Sequence, residues 1–144
     1  MKLKFEFERG GALSVGLLTA KVPRTAKAIT DALPISATVY QARWSGKEIF
    51  VPIDLPKKPP RENQTIRAAL GDVIYFQEWE GAYQRTGFEA IGLFYGNEIV
   101  REWRGDAPVN VIGRIDPAQL ELVQEIGDRV WRKGGEGISI RIEG

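Results

Sequence analysis

Residues 2–8 alternate polar and apolar without interruption. Leu3, Phe5 and Phe7 fall on one side, lysines and glutamates on the other. Side chains alternate faces along a strand, so this pattern predicts a half-buried β-strand. Arg9-Gly10-Gly11 reads as a turn, and residues 12–19 as the returning strand. Further β runs are predicted over 35–44, 47–54, 73–79 and 88–95. Gly92 inside the last of these predicts a bulge or a close backbone approach. In the run 107–116, Val109, Val111 and Gly113 share one face, and Asn110, Ile112 and Arg114 the other. A second clean alternation, with Ile138, Ile140 and Ile142, closes the chain. Alternating strands at both ends, with β runs between them, predict a mainly β fold whose sheet closes on itself and pairs its terminal strands.

Two segments carry helical spacing instead. Val22, Ala26, Ile29 and Leu33 form one apolar stripe, with Pro23 in a first turn and Pro34 as the stop, predicting a helix over 23–33. The second helix is predicted over 117–126. Asp116 is its N-cap, Pro117 its first residue, and Gln119 reaches back as a capping box. Leu120, Val123 and Ile126 form its buried stripe, and Gly127 its C′ residue. Residues 134–137 read as a turn. Residues 55–63 hold three prolines and three cations and are expected to be a solvated surface loop. Residues 80–87, with Tyr83 and Arg85, and 96–106, with Arg101, Trp103 and Arg104, are expected to be loops.

Composition narrows the functional classes. A chain of 144 residues, 43% hydrophobic and 27% charged, fits one globular domain spanning 1–144. A net charge of +1 gives no field that would draw it to nucleic acid or anionic lipid. With no cysteine there is no thiol nucleophile or disulfide; with no histidine the commonest general base and metal ligand are gone. The N-terminus lacks the apolar stretch of a signal peptide, and no apolar run is long enough to span a membrane. The expectation is a cytoplasmic protein without a metal or cofactor. Glu78, Glu80 and Glu89 lie on neighbouring predicted strands and loops. They carry no spacing diagnostic of acid–base chemistry and read best as exposed carboxylates.

Three segments, in order, resemble the cyclophilin family. Val22-Pro23-Arg24-Thr25-Ala26 is similar to the passage from second strand into first helix; 88–96 to the aromatic-rich strand of the binding face; and Asn110-Val111-Ile112-Gly113-Arg114-Ile115 to the late barrel strand. A closer likeness is to small bacterial cyclophilin-like proteins of unknown function, through Gly71-Asp72-Val73, Phe94-Tyr95-Gly96 and the run from Val109 to Gly113. This resemblance implies a closed eight-stranded barrel capped by two short helices. It also implies a binding groove. Arg43 lies near the family's arginine, with Gln41 or Ala42 as alternative alignments; Phe50 lies near the proline-pocket phenylalanine and Trp103 near the tryptophan. Glu89 stands where the family has glutamine, Ile91 where it has phenylalanine, and the histidine position falls at Pro108 or Val109.

Those departures bear on activity. Peptide-bond rotation faces a barrier of about 18–20 kcal/mol, and the family's arginine lowers it by donating to the prolyl nitrogen. Here a glutamate replaces glutamine beside that arginine, where it would hold it away from substrate. The expectation is therefore a barrel that binds a small molecule or short peptide without prolyl isomerase activity. Arg43 and Glu89 are the expected polar anchors and Phe50, Phe76, Ile91 and Trp103 the expected walls, with Asn110 as a further polar group in the groove. The alternatives are a degenerate isomerase using Arg43 and, by analogy of fold alone, an accessory subunit of an amide- or carbamate-handling enzyme. A protein partner or a homo-oligomer stays open.

Overall fold

The structure, a computed structural model, describes residues 1–79, 87–102 and 105–144. Eight long strands alternate with two helices: β1 (Lys2–Phe7), β2 (Ala12–Leu17), α1 (Pro23–Ala32), β3 (Ile35–Gln41), β4 (Glu48–Pro52), β5 (Asp72–Gln77), β6 (Glu89–Phe94), β7 (Val109–Ile115), α2 (Leu120–Lys133) and β8 (Glu136–Ile142). Their order around the sheet is β2-β1-β8-β3-β4-β6-β5-β7, and β7 pairs back onto β2. Every pairing is antiparallel, so the expected closed eight-stranded barrel forms.

The terminal strands meet as the alternation predicts. Leu3, Phe5 and Phe7 stand opposite Ile142, Ile140 and Ile138, while Leu3 and Phe5 also face Val15 and Leu13 of β2. Apart from Ile142, which is exposed, these side chains join Ile49, Val51, Tyr75, Ile91, Leu93 and Ile112 in one core. Between β1 and β2 the chain reverses through Gly10 and Gly11, at φ 114° and 97°, which glycine adopts without a Cβ penalty. Along β7 a register shift between Val111 and Gly113 breaks the simple alternation expected there. Ile112 and Ile115 both reach the core, and Arg114 stays outside to pair with Asp72.

The helices close opposite ends of the barrel. Val22, Ala26 and Ile29 of α1, and Val123, Ile126 and Val130 of α2, pack into the same core. Helix α1 has no side-chain cap of its own. Glu62 supplies one from the loop after β4, accepting from Thr25 N and Thr25 Oγ1 at 2.8 Å each. A carboxylate there also complements the positive end of the helix.

Helix α2 starts where expected, capped by Asp116, but departs from expectation in its capping box and at its far end. A 3₁₀ turn, Pro117–Gln119, precedes it, with the Asp116 carboxylate accepting from Ala118 N. Gln119 forms no capping box: its amide bonds β2, accepting from Ser14 N at 2.7 Å and donating to Ala12 O at 3.1 Å. The helix also runs through Gly127 to Lys133 and ends at Gly134, φ 86°. Gly127 is an interior helical residue packed against the Tyr95 ring, and Glu136 already belongs to β8.

The loop 55–63 is not simply solvated. Leu55 and Pro59 are buried, and Pro59 O accepts from the side chains of Gln77 and Trp79. The segment 96–106 also carries structure: Glu98–Ile99 pairs with Arg67–Ala68, and Arg101–Glu102 with Gly105–Asp106. Val100 and Ala107 join Ala68, Ile74, Phe94, Val109 and Val111 in a second apolar cluster. That cluster lies on the outer face of the barrel, so these short ladders strap the outside of β5, β6 and β7. No helix among the described residues is long and apolar enough to cross a membrane.

Candidate functional site

On strand β4, Ile49 and Val51 face the core, so Glu48 and Phe50 face outward. On β5 the outward residues include Ile74 and Phe76, and on β6 Ala90 and Gly92. Phe88, just before β6, extends the same face. These side chains and the strap bound a cleft of about 470 Å³ on the outside of the barrel. Trp44, Phe50, Phe76 and Phe88 form its aromatic wall, and Ile74, Val100 and Val109 add aliphatic surface. The rings touch in series: Trp44 to Phe50 at 5.3 Å, Phe50 to Phe88 at 5.8 Å and 72°, Phe88 to Phe76 at 6.0 Å. Such contacts fix the rings against one another, so the wall is formed before any ligand arrives.

One polar group lies deep in this apolar setting. Glu48 is 5% exposed, and burial pushes its carboxyl up from the ordinary 4.5 to about 8, against a smaller opposing effect of the Ser45 hydroxyl. Ser45 itself is held to the strap, donating to Arg101 O at 2.7 Å and accepting from Arg101 N at 2.9 Å. Among the described residues, the other charged side chains on the cleft are Glu78, Arg101 and Glu102.

Of the residues expected in a groove, Phe50 and Phe76 are brought together in this wall. Of the others, those among the described residues are placed elsewhere. Ile91 points into the barrel core, since it shares the inward face of β6 with Leu93. Glu89 has the same parity and is buried at the α1 end, accepting from Tyr75 Oη, Lys58 Nζ and Leu55 N. It is therefore not the exposed carboxylate that its position suggested. Burial and the charge of Glu89 push the Tyr75 phenol upward, which keeps it a donor. Asn110 is fully buried and fully bonded. Its Oδ1 accepts from Glu62 N and Gln64 Nε2, and its Nδ2 donates to Thr25 Oγ1 and Pro60 O. With all four bonds made within the fold, its role is to tie α1 and the loop to β7. Arg43 is exposed on a neighbouring concavity with Tyr40, Lys47 and Trp131, which shares Trp44 and Phe50 with the cleft. Trp103, Arg104, Glu80, Tyr83 and Arg85 lie outside the described residues.

Glu48, Trp44 and Phe88 were not singled out from the sequence. For Glu48 the signal existed: it stands two residues before Phe50 on a strand and so shares its face. Among the described residues, no group of three or more acidic side chains is placed to hold a metal ion.

Comparison with known proteins places this geometry in context. A search of curated proteins finds no match. Among solved structures, the chain is similar to McbB, determined in complex with tryptophan, at a TM-score of 0.74 and 16% identity. That likeness covers 99% of this chain but 45% of McbB, so the chain spans less than half of that protein's length. It is also similar to the hypothetical protein AF2241 from Archaeoglobus fulgidus, at a TM-score of 0.62 and 27% identity, over 98% of this chain and 93% of that one. A family model matches residues 7–142, nearly the whole barrel, and on that match the chain belongs to the family described as protein of unknown function (DUF3830).

Proposed function

We propose that the outer cleft binds a small molecule or a short peptide segment, on a cyclophilin-like barrel that does not catalyse prolyl isomerisation. The observation that carries this reading is the preformed wall of Trp44, Phe50, Phe76 and Phe88 around about 470 Å³, with few polar groups convergent on it. Ligand sites are typically apolar concavities of this size with a small number of placed polar groups. The barrel fold shared with McbB, whose structure contains tryptophan, makes free tryptophan the first probe. Against isomerisation stand the lack of any histidine and the position of Arg43 beside the cleft rather than in it.

Ligand-observed NMR with tryptophan and a panel of aromatic fragments tests the binding. Saturation transfer that Phe50→Ala and Phe88→Ala both weaken is the expected result. Absence of transfer from every fragment would overturn it. A proline-peptide exchange assay tests the rest: no acceleration is expected, and acceleration abolished by Arg43→Ala would reinstate the isomerase.

A further inference from the structure

The fold buries four carboxylates among its described residues, Glu48, Asp72, Glu89 and Glu136. Three have cations of their own. Asp72 pairs with Arg114, Glu89 with Lys58, and Glu136 with both Arg9 and Arg129. Glu48 has none among the described residues, and the Ser45 hydroxyl beside it already donates its proton to Arg101 O. A buried charge without a partner is costly, and proteins otherwise pair it, as this one does three times. The unpaired carboxyl is also the one that faces a cleft.

We propose that the cleft selects an organic cation, an ammonium group carried on an aromatic or alkyl body, with Glu48 as its counter-ion. This rests on the cleft being the ligand site and adds the class of ligand. The aromatic wall suits such a ligand, because ring faces attract cations and the attraction grows when water is excluded. Among the described residues the charged groups lining the cleft with Glu48 are Glu78, Glu102 and Arg101, and from β6 Ala90 adds no charge. Above the carboxyl's raised value an anion would meet a like charge at close range, and a neutral apolar ligand would offer that charge no counter-ion.

Recognition of a cation is then linked to a proton. In the empty cleft burial holds Glu48 protonated at neutral pH. The ammonium ion replaces that proton, so RNH₃⁺ and the carboxylic acid give the RNH₃⁺–carboxylate pair and one released H⁺. Below the carboxyl's raised value, affinity should climb about tenfold per pH unit, then level off above it.

The test is calorimetric titration of the whole chain with 2-phenylethylammonium, the neutral 2-phenylethanol and the anionic 3-phenylpropionate at pH 6, 7 and 8, repeated in two buffers of different ionisation heat. The expected result is preference for the ammonium ion by at least about tenfold over the alcohol at pH 8, with proton release at pH 6 and 7. Glu48→Gln should abolish both the preference and the pH dependence. Phe88→Ala should weaken the ammonium ion without changing its pH slope. Binding of the alcohol as tight as that of the ammonium ion, or a pH slope kept by Glu48→Gln, overturns the cation proposal and leaves the cleft as a binding site. Silence from all three probes overturns both.

Discussion

The Glu48 carboxylate lies directly over the backbone of Gly92 on the neighbouring strand. The two are diagonal neighbours, since Phe50 stands opposite Gly92 and Glu48 opposite Phe94. A Cβ at position 92 would overlap Glu48 Oε2 and lie 2.9 Å from Ile74 Cδ1. Gly92 has an ordinary strand conformation, so its missing side chain is there for space. Gly92→Ala should therefore destabilise by about 1–3 kcal/mol, the usual cost of overpacking. Part of that cost belongs to Glu48, so Gly92→Ala should cost less in a Glu48→Ala background than in the native one. Urea titration of the double-mutant cycle measures this. Strict additivity would mean that Ile74 alone sets the cost.

Burial of Glu48 also predicts how stability varies with pH. Its folded-state value, about 8, lies above the ordinary 4.5 of an unfolded chain. The folded state therefore holds a proton that the unfolded state releases as pH passes 4.5. The stability linked to that proton is fully present below about pH 4.5 and is lost as pH rises to about 8. Over that window the loss is on the order of 4–5 kcal/mol, at about 1.4 kcal/mol per pH unit. Glu48→Gln should match the native protein near pH 4.5 and exceed its stability by several kcal/mol near pH 8, since the amide cannot ionise. Parallel curves of stability against pH for the two proteins would contradict a buried, uncompensated carboxyl.

Asn110 joins three segments distant in sequence, bonding Thr25 at 3.1 Å, Pro60 O at 2.9 Å and Glu62 N at 2.9 Å. Asn110→Ala leaves these buried groups without their partner. The expected loss is about 2–4 kcal/mol. Hydrogen exchange should show where it acts, with faster exchange at Glu62 N and at Thr25 N, which the Glu62 carboxylate holds. A change confined to a few tenths of a kcal/mol, with exchange unaltered, would show that water replaces the amide there.

The barrel was legible in the chain because its signals are local. Leu3-Phe5-Phe7 and Ile138-Ile140-Ile142 each declare an inward face, and once the sheet closes those faces must meet. The cleft was less legible, because facing depends on parity counted from a strand's true start. Phe50 and Phe76, both expected as groove walls, share the outer face. Ile91 and Glu89, one residue out of step with Ala90 and Gly92, point into the barrel instead. Nothing within a single strand sets that parity. The pairing partners do: Tyr75 and Val51 flank Ile91 and are themselves inward. The pairing of Glu89 with Lys58 was hidden for a similar reason, since the loop bringing Lys58 back reads from its prolines and cations as solvent-exposed.

Gly127 was misread in the same way, and its replacement gives the sharpest test of the tertiary structure against local propensity. Judged alone, glycine after an apolar stripe marks a helix end, and in a helix interior Gly→Ala gains about 1 kcal/mol. Here the helix continues six residues further, to Lys133, and ends at Gly134. Residue 127 is buried, and a Cβ would overlap the Tyr95 ring. That ring is held by its hydroxyl, which donates to Gln41 Oε1, and by Tyr95 N, which bonds Lys47 O at 3.0 Å. It cannot swing away without breaking the former. Gly127→Ala should therefore destabilise, by about 1–3 kcal/mol once overpacking exceeds the gain in propensity. Tyr95→Leu should return part of that loss by vacating the ring's position, whereas Tyr95→Phe, which keeps the ring, should return less. Thermal or urea unfolding of the single and double variants decides it, and a stabilised Gly127→Ala would mean that α2 stands further from Tyr95 than this packing requires.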